Sequence, residues 1–365
     1  MNGKKLLAFG IVVLAGAVLG AEGLARARAH ARYGPYLDIY ELHHRTPTGL
    51  LVPLADLDLE FGGRCLIRTD EHGFRSAPVP VPKPPGTLRL AFLGSSTTFC
   101  AQASTNEKTW PSLVTAALQE RFPDLVVDHV NAGVTSYCLA DSIAGLEQRV
   151  AAVAPDVVVY YEAANELAVD THVLAEAAGL AEPEHVPGWL ERHSLLWMLV
   201  QKNRRFVDSQ REGRGDGPKL QCDLERLAAG FEDRLVGLVE RARGLGAATV
   251  LCTVATRFDR EQPLEAQLAN MEQSFTFMPY LEPEALLAGF EAYNGAIARA
   301  ARRSGAVLVD GHEALQGREA WFTDSVHFSE AGCAAQAQRV TEALLRSQPF
   351  LELVETVRSQ ERPTR

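Results

Sequence analysis

No two of the six cysteines in this 365-residue chain form a Cys-x-x-Cys pair. Cys65, Cys100, Cys138, Cys222, Cys252 and Cys333 are scattered, which removes the spacing a structural zinc site needs. Positive charge is in deficit as well. There are 36 Lys and Arg against 46 Asp and Glu, a formal net charge of −10 at pH 7, which argues against a nucleic-acid partner. Heptads, internal repeats and low-complexity tracts are absent, so no coiled coil or repeat array is expected. What remains is ordinary globular composition, 47% hydrophobic and 22% charged, enough for one large domain with insertions.

The N-terminus stands apart. Lys4 and Lys5 precede an uncharged apolar stretch from Leu6 to Ala21, followed by Glu22 and the basic run Arg26, Arg28, His30, Arg32. That stretch is shorter than the ~20 residues of a usual spanning helix. Two readings stand: an uncleaved signal anchor, or a secretory signal cut near Gly20 or Ala21. No clean small-x-small site favours the cut, so the anchor is preferred. Positive charge on both flanks leaves the orientation open. The expected arrangement is a membrane-tethered chain with the following domain outside the cytoplasm, which makes the membrane a partner.

Residues 33–86 are rich in proline and glycine with little periodicity, and predict an irregular lead-in ending in a stiff connector from Val79 to Gly86. A β-α alternation then begins. Apolar runs at Leu88–Leu93, Leu125–Val130, Val157–Tyr161, Thr249–Val254 and Ala306–Val309 predict five strands. Helical faces lie between them, including Trp110, Val114 and Leu118, then Phe231, Leu235 and Leu238. A last helix is predicted from about Ser329 to Leu345. Strands that read as continuous Val/Leu runs between helices imply a parallel sheet covered on both faces. The expected fold is α/β, a three-layer α/β/α sandwich on a five-stranded parallel sheet. The domain spans 87–347 with an insertion at 166–222 over the active-site edge, and 348–365 is a tail.

In such a sheet ligands bind beyond the carboxyl ends of the strands. Polar motifs fall there. Gly94-Ser95-Ser96-Thr97-Thr98 follows the first strand, Asn131-Ala132-Gly133 the second, Asn165 the third, and Asp324-Ser325-Val326-His327 the last. A serine hydroxyl needs a histidine to take its proton and a carboxylate to orient that histidine. Ser96 is the candidate nucleophile, His327 the base, and Asp324 its orienting acid. Attack on an ester makes an oxyanion, for which the Ser96 N–H, the Gly133 N–H and the Asn165 side-chain amide are candidate donors. Asp310-Gly311-His312 is a rival acid–histidine pair that leaves its strand too early. Glu162 and Glu166, flanking Asn165, read as solvated or structural. No Gly-x-Ser-x-Gly is present, so the nucleophile elbow of the α/β-hydrolases is excluded.

Gly94-Ser95-Ser96-Thr97, Gly133, Asn165 and Asp324-x-x-His327 together resemble the four sequence blocks of the SGNH (GDSL-type) hydrolase family. The first block, with Gly73-Phe74-Arg75 upstream, is similar to the membrane-anchored bacterial branch. The resemblance covers about residues 70 to 345. It implies a flavodoxin-like sandwich, no metal or other cofactor, and ester or thioester hydrolysis or acyl transfer. By analogy the substrate is a small-molecule or glycan ester of the cell envelope. The pattern departs twice: Ser95 stands where the family has Asp, and the third block reads Ala163-Ala164-Asn165-Glu166. The competing class is a non-catalytic domain of this type that binds glycan or a membrane acyltransferase. Cys100 and Cys138 follow the first two strands by similar offsets. They are expected to approach within disulfide range at the rim, the alternative being two free thiols.

Overall fold

The computed structural model of the chain describes residues 3–34, 39–182 and 188–361. The N-terminal apolar stretch and its basic continuation form one helix, α1 (Gly3–Tyr33). It is long and apolar enough to cross a membrane, and its large apolar side chains from Leu6 to Leu24 are exposed. The lead-in is more ordered than its composition implies. It holds two antiparallel hairpins, β1 (His43–Arg45) with β2 (Leu51–Pro53), and β3 (Asp58–Phe61) with β4 (Cys65–Arg68). Strands this short make few hydrogen bonds, so side-chain packing holds them. Leu42, Leu57 and Ile67 pack with Phe99, while Leu50 and Val52 pack with Val134 and Tyr137. Phe99 and Val134 belong to the loops after the first two sheet strands, so the lead-in braces that edge.

The alternating part follows. β5 (Thr87–Gly94) leads into a single helical turn, α2 (Ser96–Phe99), and then α3 (Trp110–Arg121). β6 (Val126–Asn131), α4 (Leu139–Gln148) and β7 (Val157–Tyr161) come next. Most of the described part of segment 166–222 is helical, within α5 (Ala164–Ala177), α6 (Trp189–His193) and α7 (Leu195–Gly213); residues 183–187 of that expected insertion lie outside the described residues. After α8 (Leu224–Gly244) and β8 (Ala248–Cys252) the chain forms α9 (Leu264–Asn270), α10 (Glu272–Phe277) and α11 (Pro283–Ser304). β9 (Val307–Val309), α12 (Glu330–Arg346) and α13 (Gln348–Glu361) complete it.

The five strands β5 to β9 lie in the order β6-β5-β7-β8-β9, all parallel. β5 and β7 are buried along their whole length, which is why they read as unbroken apolar runs rather than alternating ones. α3 packs with α12 on one face, and α8 with α4 and α11 on the other. This is the three-layer sandwich the sequence pattern implies. Because the chain runs from β5 outward to β6 and then back across to β7, strand order reverses beside β5. The crevice beyond the carboxyl end of β5 is therefore where the fold places a site.

The C-terminal segment is not a free tail. Phe350, Val354 and Val357 share one face of α13 at helical spacing and are 1% exposed each, joined to the main core. The Phe350 ring lies 6.4 Å from that of Phe122, and Arg358 pairs with Asp124 at 2.6 Å. Residues 362–365 of the expected tail lie outside the described residues. Phe350→Ala leaves a cavity under α13, so chemical denaturation should find the domain destabilised by about 3–5 kcal/mol. An unchanged midpoint would show that α13 adds no packing.

Candidate active site

The turn that bears Ser96 begins where β5 ends. Gly94 has φ +149°, and a Cβ there would lie 2.4 Å from Tyr161 O, so only glycine lets β5 leave the sheet this close to β7. Ser96 opens α2, and Cys100 closes it in the left-handed region at φ +59°. A one-turn helix has almost no carbonyls satisfied within itself. Here they are met from outside. Trp110 Nε1 donates to Thr97 O at 3.1 Å, Asn131 Nδ2 to Thr98 O at 2.9 Å, and the Arg75 guanidinium to Phe99 O at 2.8 Å and to Cys100 O. Arg75 is fully buried, and its Nε also donates to Asn106 Oδ1 at 3.1 Å. Arg75 and Asn131 lie in motifs visible in the sequence, but neither residue type announces a capping role.

His327 Nε2 lies 2.7 Å from Ser96 Oγ. Its Nδ1 faces Asp324 at 2.9 Å from Oδ1 and 2.8 Å from Oδ2. Asp324 Oδ1 also accepts the backbone N–H groups of Val326 at 3.1 Å and His327 at 3.0 Å. The short offset between acid and base is thus a turn folded around the acid's own oxygen. Ser325, between them, points the other way into the protein. Its Oγ donates to Asn270 O at 2.7 Å and accepts from Gln273 N and Ser274 N at the start of α10. A bridge between Phe322 and Phe328 closes the loop at its base. Burial disfavours the His327 imidazolium, but the hydrogen bond and charge of Asp324, helped by Glu162, outweigh it and raise the histidine above its ordinary value. Burial also acts to raise Asp324, yet the hydrogen bonds it accepts hold it below the usual carboxylate range.

Gly133 and Asn165 flank the turn. A Cβ on Gly133 would lie 2.6 Å from Phe99 N and 2.9 Å from Thr98 C, so glycine is required for the second loop to pack on α2. The Gly133 N–H donates to Asn131 Oδ1 at 3.1 Å, so this expected oxyanion donor is already shared with a side chain. Asn165 lies in the first turn of α5. Its Nδ2 donates to Tyr137 O at 3.0 Å, and since a side-chain amide carries two N–H bonds the second stays available. The Ser96 N–H is at a helix start, where amides have no acceptor one turn back.

Glu162 is not solvated. It is 1% exposed and bridges two of these loops. Its Oε2 accepts from Ser95 Oγ, and its Oε1 from Asn165 N at 2.6 Å. Burial pushes the carboxyl up to about 7, against the hydrogen bonds from Ser95 and Asn165 that favour its charge. Glu166 is also buried; it accepts from Leu139 N at the start of α4 and pairs with Arg234 at 2.8 Å. No sequence signal separates these roles from that of a surface glutamate.

Cys100 and Cys138 do not form the expected bridge; both are free thiols. The left-handed end of α2 turns Cys100 inward, where its Sγ donates to Thr97 O at 3.2 Å and its side-chain neighbour is Cys333 of α12. Cys138 instead precedes α4 among carboxylates, and burial together with Glu166 and Glu162 pushes its thiol up. The rival pair also lies elsewhere. Asp310, His312 and Glu313 set their donor atoms within 4.8 Å of one another after β9, a group that could hold a metal ion, with both carboxylates exposed. Among the described residues, none of the three is hydrogen-bonded to Ser96, Asp324 or His327.

Among solved structures the chain is similar to Axe2, an acetylxylan esterase from Geobacillus stearothermophilus, at 18% identity over 73% of this chain and 93% of that one, with a TM-score of 0.41. It is also similar to LAE5, an alpha/beta hydrolase enzyme from the metagenome of Lake Arreo, Spain, at 18% identity, 74% and 95% coverage and a TM-score of 0.41. A third is TesA, at 17% identity, 72% and 99% coverage and a TM-score of 0.42. No curated protein matches the chain. The family model that matches it describes the GDSL-like lipase/acylhydrolase family and spans residues 92–335, from the core of β5 into α12. With more than half of its length matched, the chain belongs to that family, the SGNH serine hydrolases.

Proposed function

We propose that this enzyme hydrolyses or transfers the acyl group of an envelope or carbohydrate ester, tethered to a membrane by α1, with its domain outside the cytoplasm. The observation that carries the reading is the continuous chain from Ser96 Oγ through His327 to Asp324, with 2.7 Å at its first contact and 2.8 Å at its second. A domain that only binds glycan has no use for it. In the proposed step His327 Nε2 takes the Ser96 proton while Oγ bonds to the ester carbon. The carbonyl oxygen becomes an oxyanion held by the Ser96 N–H, the free N–H of Asn165 and the shared Gly133 N–H. Collapse breaks the bond to the alcohol oxygen, which leaves with the proton from His327. Water or a second alcohol then repeats the sequence on the acyl-serine, which separates hydrolysis from transfer.

Ser96→Ala should abolish turnover of a short p-nitrophenyl ester while leaving thermal unfolding unchanged. Retained turnover would remove Ser96 as nucleophile. Asn165→Ala should lower kcat by ~10²–10³, the usual effect of losing one oxyanion donor.

The neutral imidazole is the base, and His327 is raised above 6.5. Activity should therefore be lost as pH falls through a midpoint above that value, and kcat/KM should rise with pH up to it. Glu162 supports the charged imidazolium. Glu162→Gln keeps an acceptor for the Asn165 amide but removes that charge, so it should move the acidic limb to lower pH. A limb that stays in place would reduce Glu162 to a purely structural brace.

A further inference from the structure

The joint between α1 and the α6–α7 arm sits at a definite depth along α1. Glu22 is the first charged residue after the apolar stretch Leu6–Ala21. Its carboxylate accepts from Ser194 Oγ at 2.9 Å, Leu195 N at 2.8 Å and Leu196 N at 3.0 Å, and so caps the start of α7. Arg26, one turn on, pairs with Glu22 at 2.6 Å and donates to His193 O at 2.9 Å. If Leu6–Ala21 lies in hydrocarbon, Glu22 lies at the boundary with the headgroups, and the start of α7 is held at the same level.

The arm's outer surface suits that level. Trp189 is 67% exposed, Trp197 42%, Val200 55% and Val207 53%. Trp197, Val200 and Val207 follow helical spacing and share one face of α7 with the exposed Arg204 and Arg211, and Arg192 of α6 adds another exposed cation. Tryptophan with aliphatic residues on one side and basic side chains around them is the composition of a helix lying in the membrane interface. The far end of the arm is fixed to the domain. Gly213 packs so closely on Phe275 that a Cβ would lie 2.3 Å from its ring, and Gln210 Nε2 donates to Glu272 O at 2.7 Å. These contacts fall on α10, whose first amides hold Ser325 inside the acid–histidine turn.

We propose that the α6–α7 arm lies on the bilayer that holds α1, with Trp189 and Trp197 in the headgroup–acyl boundary. The bilayer is then the surface the apolar face of the arm is made for, and it sets the orientation of the domain. This rests on the membrane reading of α1.

The test uses the full chain at one copy per nanodisc, made with lipid brominated either high on the acyl chain or near its end. Trp189→Phe/Trp197→Phe changes only exposed positions. The wild type should lose more of its tryptophan emission to high-placed bromine than to deep bromine, and the double variant should lose that excess. Equal quenching in the two proteins overturns the proposal. So does quenching that is absent at one copy per disc while two copies cross-link through the arm, because the face then covers a second chain. Flotation with the discs after a high-salt wash is read separately. A chain that does not float overturns the anchor and this proposal together, whereas one that floats without the tryptophan difference overturns only the arm's placement.

Discussion

The site depends on holding one helical turn, Ser96–Phe99, in place without continuing it. Ser96 stands just beyond the carboxyl end of β5, where the chain turns sharply after Gly94 and leaves the turn again at Cys100. A turn that ends so soon leaves a run of carbonyls without amides to meet them. Buried and unpaired, each would cost about 1–3 kcal/mol. The structure answers with donors from three elements: Trp110 from α3, Asn131 from the end of β6 and Arg75 from the lead-in. These bonds hold the turn that carries Ser96, and they tie the lead-in to the carboxyl end of β5 by more than apolar contact.

The same demand explains what could be read from the sequence and what could not. Strand and helix order is written in apolar period, and β5, β7 and α8 are legible because burial on both faces or one face dictates the pattern. Ser96, Asn165, Asp324 and His327 are legible as candidates because few residue types can do such chemistry, and sheet topology sends them to one end. The supporting residues carry no such mark. A buried Arg75 reads like any surface arginine, and the Arg75–Phe99 contact links segments from different parts of the chain.

The cysteine expectation failed for a related reason. Similar offsets from two neighbouring strands say where loops start, not which way side chains turn. Cys100 sits in a left-handed conformation that directs it toward Cys333, away from the rim. α13 is masked in the sequence because Gln348 and Pro349 interrupt the apolar pattern just before Phe350, Val354 and Val357 resume it on one face.

The Ser95 departure from the family pattern is answered by a carboxyl on the neighbouring strand end. Ser95 occupies the position of an aspartate in the first block, and Glu162 directly precedes the third block, three residues before Asn165. The Ser95 hydroxyl donates to Glu162, whose other oxygen accepts the Asn165 amide. A carboxyl is therefore still present beneath the nucleophile turn, but it is carried by the neighbouring strand end. An aspartate at position 95 would put a second acid against the buried Glu162, where two charges cannot both be kept. Serine can donate, so it fits a buried carboxylate that a second acid would oppose. The exchange keeps the Ser96 turn and the Asn165 turn fastened to one another through Glu162.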